Sequence, residues 1–67
     1  MMPLERYAEI IVALASGEDR ERVFRRFVLT EAFWQAIAQA WAARIAATPR
    51  LKAEFDQLVR KLRTHGQ

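Results

Sequence analysis

The residues able to do chemistry in this chain are few and badly placed for it. His65 is the single imidazole. A general base needs an orienting partner within hydrogen-bond reach, yet no carboxylate follows Asp56. Ser16 stands where the first helix is expected to end, a position where a hydroxyl caps backbone groups rather than attacking a substrate. Glu5 and Glu9 share a helix face, as paired acid–base carboxylates would, but no His, Cys or third acid joins them. They read as a solvated face. With no cysteine there is no thiolate nucleophile, no thiolate metal site and no disulfide framework. The two glycines, Gly17 and Gly66, lie too far apart to form a phosphate-cradling loop. The expectation is a protein that is not an enzyme, with no catalytic residues, no metal, no cofactor and no small-molecule substrate.

The elements around those residues are better defined. Sixty-seven residues suffice for one small domain, 1–67. Apolar residues make up 52% and charged residues 28%, too apolar for disorder and too charged for a membrane span. Glu5 and Arg6 break up the start of the chain, which is therefore not expected to be a secretory signal. Together with the absence of cysteine this suggests a cytoplasmic protein. The net charge of +3 is a mild basic excess.

Leu4, Tyr7, Ile11 and Leu14 fall at helical spacing, with Gly17 suited to a C-terminal cap. A short second helix carries Val23, Phe24, Phe27 and Val28. Acids lie at its start and Arg25 and Arg26 near its end, in the sense that complements the helix dipole. Glu18–Arg22 and Glu21–Arg25 are expected as i,i+4 ion pairs. Thr30 is an N-cap candidate, with Leu29 and Trp34 as a hydrophobic staple. The helix it opens carries Phe33, Trp34, Ile37, Trp41 and Ile45. Its charge is confined to Glu31 and Arg44, a pattern expected of a helix surrounded by protein. Thr48-Pro49 ends that helix and opens a fourth, although one proline-kinked helix over 31–63 is the competing reading. In the fourth, Leu51, Phe55, Leu58, Val59 and Leu62 make an apolar stripe. No strand pattern occurs. The fold class expected is all-α, a compact bundle of four short helices at about 4–16, 19–28, 31–47 and 50–63, with 64–67 a frayed tail.

So short a bundle buries only about 60% of its unfolded surface, and two Trp, four Phe and one Tyr are much to hide. Part of that surface is expected to remain exposed as a partner site. Tyr7, Phe24, Phe33, Trp34, Ile37 and Trp41 are the candidate contact residues, since aromatic side chains dominate interface energetics. Phe33 lies about 100° around the helix from Trp34, so one of the two is expected in the core and the other at an interface. The alternative is a helix-turn-helix nucleic-acid binder, with Arg20, Arg22, Arg25 and Arg26 on phosphates. The start of its recognition helix would be Glu31, Ala32, Phe33 and Trp34, acidic and aromatic where base readout needs polar or basic groups. An antitoxin-like regulatory subunit is a further alternative. The basic fourth helix also has the form of a membrane-surface helix, but Glu54 and Asp56 interrupt its cationic side, and a core-forming role explains it better.

The run Leu29-Thr30-Glu31-x-x-Trp34, followed by Ile37, Trp41, Ala43-Arg44, Pro49 and Phe55, resembles small helical modules of bacterial secretion loci, particularly of type VI. The resemblance covers roughly residues 4–62. It implies a bacterial, non-catalytic interaction module near a secretion apparatus. The excess apolar surface itself carries the expectation of docking on a larger protein or self-assembling as a homo-oligomer. It supplies no active-site residues.

Overall fold

In the computed structural model, which describes residues 2–65, the helical periodicities become four helices. They are α1 (Leu4–Ala15), α2 (Arg20–Arg26), α3 (Glu31–Ala47) and α4 (Pro49–His65). No strand occurs among the described residues. α3 occupies the expected span. α2 is shorter than expected at both ends, and α4 runs past Arg63, where a frayed tail was expected. The Thr64 hydroxyl donates to the Arg60 carbonyl at 2.9 Å and the helix continues to His65. Gly66 and Gln67, the rest of that tail, lie outside the described residues.

Each boundary has a local cause. Ahead of α3, Thr30 is extended and its Oγ1 accepts the Phe33 backbone N–H at 3.1 Å, satisfying one of the orphan donors of a helix start. Thr48 is extended as well (φ −128°, ψ 100°), as the residue before a proline tends to be. α3 and α4 are therefore separate helices, and the single kinked helix is set aside.

α1 and α2 end in the same left-handed turn with different residues. Gly17 supplies it after α1 at φ 89°. After α2 it is Val28, at φ 56°, which no other non-glycine residue approaches among those described. The Leu29 N–H reaches the Phe24 carbonyl at 2.7 Å and the Val28 N–H reaches that of Arg25 at 3.2 Å. This pair of bonds defines a Schellman cap, whose left-handed position usually holds glycine. A β-branched residue there is strained, at about 1–2 kcal/mol for an L-residue in this region. The Val28 side chain is 89% exposed, so it recovers little through burial. Val28→Gly should therefore raise stability by about 0.5–1 kcal/mol, the strain relieved less the chain entropy glycine adds to the unfolded state. A higher urea midpoint at unchanged slope would show it.

The core is aromatic. Tyr7, Ile10 and Ala13 from α1, Val23 and Phe24 from α2, and Trp34 and Trp41 from α3 form one buried cluster. The Tyr7 ring is its hub, with centroids 5.6 Å from Trp34, 6.1 Å from Trp41 and 5.6 Å from Phe55 of α4. Trp41 Nε1–H donates to the Met2 carbonyl at 3.0 Å, tying the segment before α1 to α3. The helices form a slab 31 × 29 × 16 Å. Interaxial distances of about 8–10 Å make that thickness two helix layers, so every helix keeps an outward face.

Two expectations need correction. α3 is not surrounded by protein: only Trp34 and Trp41 are buried along it, and most of its remaining residues are exposed. Neither expected i,i+4 ion pair of α2 forms. Glu18 precedes the helix and instead pairs with Arg26 at 3.2 Å, while Arg20 grips Glu31 of α3 at 3.1 Å. The shorter α2 leaves Glu18 no helical register with Arg22.

Candidate functional site

The six candidate contact residues divide sharply. Tyr7 (6% exposed), Phe24 (8%), Trp34 (4%) and Trp41 (8%) are core, so in a single copy they present no surface to a partner. Ile37 is half-buried against that core. Phe33 is 58% exposed and lies at the start of α3. The neighbouring aromatics thus part as their 100° separation requires, Trp34 inward and Phe33 outward.

Phe33 borders an unusual surface. Opposite Trp34 and Trp41, the solvent side of α3 carries Ala32, Gln35, Ala36, Gln39, Ala43 and Ala46, all exposed. These positions contain no charge over about four turns. A solvent-facing helix side ordinarily carries charged residues, and small side chains let a second backbone come close. Glu31 and Arg44 flank this face, and both are engaged, Glu31 with Arg20 and Arg44 over the Trp41 ring at 5.6 Å. Sequence periodicity missed this face because alanine fits a core stripe as readily as an open surface.

The candidate phosphate-contacting arginines divide as well. Arg20 is held in a forked bond by Glu31 and stacks over Phe24 at 4.9 Å. Arg26 is held by Glu18 and lies 5.2 Å from the Phe27 ring centroid. Arg22 and Arg25 are exposed with no carboxylate within 4 Å among the described residues. The first member of a helix-turn-helix thus offers two uncommitted cations, and its second member begins with an acid and Phe33. The exposed pairs contribute little to stability, about 0.2–1 kcal/mol each, but they do fix where these guanidinium groups point.

No group of three metal-ligating side chains occurs among the described residues. Ser16 Oγ donates to the Ala13 carbonyl at 2.8 Å, the backbone-capping arrangement. His65 ends α4, and its side chain is outside the described residues. No described helix is long and apolar enough to cross a membrane.

No protein-family model, curated protein or solved structure matches this chain.

Proposed function

We propose that the protein is a non-catalytic protein–protein interaction module that presents the outer face of α3, headed by Phe33, to a partner. It either self-assembles or docks on a larger protein. The observation that carries this reading is a charge-free alanine-and-glutamine helix face in open solvent with a large aromatic, 58% exposed, at one end. Exposed aromatic surface of that kind is commonly functional, and an aromatic anchor beside a flat, close-approach surface suits a helix-on-helix contact. A bacterial, secretion-associated setting belongs to the same proposal and rests on the resemblance of the Leu29-to-Phe55 residues alone, while a cytoplasmic one rests on the charged start of the chain and its lack of cysteine.

Phe33→Ser tests it. The substitution touches an exposed side chain, so stability should change by no more than about 0.5 kcal/mol. In size exclusion with light scattering, wild-type protein should gain mass as concentration rises. Failing that, the immobilised chain should retain a partner from host lysate. Phe33→Ser should abolish whichever is seen, at unchanged helicity. A wild type that stays monomeric at every concentration, binds no apolar dye and retains nothing would overturn the reading. A salt-sensitive shift of duplex DNA would instead favour the helix-turn-helix alternative.

A further inference from the structure

A second surface lies away from α3, between α1 and α4. Ala8 is fully buried, and its neighbours on the same face of α1, Glu5 and Ile11, each line a groove shared with α4. The larger groove, about 400 Å³, has a floor of Ile11, Phe55 and Val59, all half-exposed, and a rim that includes Arg60 and Arg63. One acid, Asp56, also lines it, but Lys52 holds that carboxylate at 3.5 Å. In the first half of α4 the charges are paired within the helix, Arg50 with Glu54 and Lys52 with Asp56. Beyond Asp56 the helix has only cations, and no carboxylate lies within 4 Å of Arg60 or Arg63 among the described residues. The result is an apolar trough with an uncompensated basic edge.

We propose that this groove binds an acidic amphipathic helical segment of a partner protein, its apolar residues on Ile11, Phe55 and Val59 and its carboxylates on Arg60 and Arg63. The dimensions agree. From Phe55 to Thr64 the groove runs along ten residues of α4, nine rises of 1.5 Å or roughly 13.5 Å, which accommodates about two turns of a guest helix and two apolar anchors three or four residues apart. Helix-in-groove recognition uses that spacing. The basic edge selects against cationic or neutral segments, because a like charge set against the rim is unfavourable while a carboxylate is attracted to it. This proposal rests on the reading of the chain as an interaction module but uses no residue of the α3 face.

The probe is a fluorescein-labelled acidic helical peptide of two heptads, each Leu-Glu-Glu-Leu-Leu-Glu-Glu, followed by fluorescence anisotropy on the full chain. Saturable binding is expected, weakening as salt rises from about 50 to 500 mM. The double substitution Arg60→Glu/Arg63→Glu, on exposed positions and checked for unchanged circular dichroism, should weaken binding at least about tenfold. Phe33→Ser should bind as wild type does, which separates failure of this site from failure of the α3 face. Three results would each overturn the proposal: no saturable binding, equal binding of the same peptide with Lys in place of Glu, or affinity unchanged by the double reversal. Capture on phosphatidylserine vesicles without peptide binding would assign the groove to a membrane surface and overturn it too.

Discussion

Trp34→Ala should remove about 3–5 kcal/mol of stability, while Ala at the adjacent Phe33 changes stability hardly at all. Trp34 is 4% exposed, with its ring centroid 5.6 Å from that of Tyr7 and 6.2 Å from that of Phe24. It therefore joins α1, α2 and α3 in one contact. Removing a buried Trp typically costs about 3–5 kcal/mol, because the lost transfer free energy is joined by a cavity that neighbouring helices only partly close. At about 0.05–0.15 kcal/mol per residue, a chain this size has roughly 3–10 kcal/mol in total, so one side chain accounts for a large share. Phe33, one residue earlier and 58% exposed, leaves no cavity, and its truncation should stay within about 0.5 kcal/mol. Urea titration by circular dichroism measures both. Trp34→Ala also leaves Trp41 as the only tryptophan, so its fluorescence follows the same transition. A loss at Phe33 matching that at Trp34 would mean that the α3 face is itself covered in the stable form, which raises the standing of self-assembly.

These two neighbours show where sequence reading succeeds and where it stops. Helix phase is a property of spacing, so the divergence of Phe33 from Trp34 was legible, as were the span of α3, its Thr30 cap and the break before Pro49. Which side of α3 faces water was not. Its stripe of Trp34, Trp41 and Ile45 is set among alanines, and an alanine is compatible with burial or exposure. Only the position of α4, which lies against α1 and α3, decides which alanines are covered. Val28 was misread for a different reason. Its β-branched apolar side chain matched the helical pattern of α2, yet the Schellman turn that brings Leu29 back onto the core requires a left-handed residue there. Arg20 and Arg26 looked available for phosphate because their partners Glu31 and Glu18 are eleven and eight residues away, beyond the i,i+4 range within which pairs are read from sequence. Of the five aromatics offered as contact residues, the four that lie in the core were recognised as important, but importance in the core and at an interface leaves the same mark in composition.

Tyr7→Ala should rival Trp34→Ala, and Tyr7→Phe separates the ring from its hydroxyl. The ring meets Trp34, Trp41 and Phe55, linking α1 to both α3 and α4, and aromatic pairs contribute about 0.5–1.5 kcal/mol each beyond area burial. Its loss should therefore cost on the order of 3–5 kcal/mol, as for other large buried rings. No described buried side-chain N or O atom lacks a hydrogen-bond partner, so the hydroxyl is not an orphan that phenylalanine would relieve. Tyr7→Phe should be nearly neutral at pH 7. The two diverge in alkali. Burial pushes the Tyr7 phenol above its ordinary pKa of 10.0 by penalising the phenolate. In the unfolded chain the phenol ionises near 10, while the native state still holds its proton, so above pH 10 the unfolded state binds fewer protons and stability falls as pH rises. Below pH 10 both states are protonated and the full contribution is present. Wild-type protein should lose stability as pH rises above about 10, and Tyr7→Phe should lose less. Tyr7 is the sole tyrosine, so tyrosinate absorbance near 295 nm should report an ionisation delayed to higher pH in wild type and none in Tyr7→Phe. A phenol that titrates at its ordinary pKa in the folded protein would mean that the hydroxyl is open to water, which leaves the ring's contacts to be tested by Tyr7→Ala.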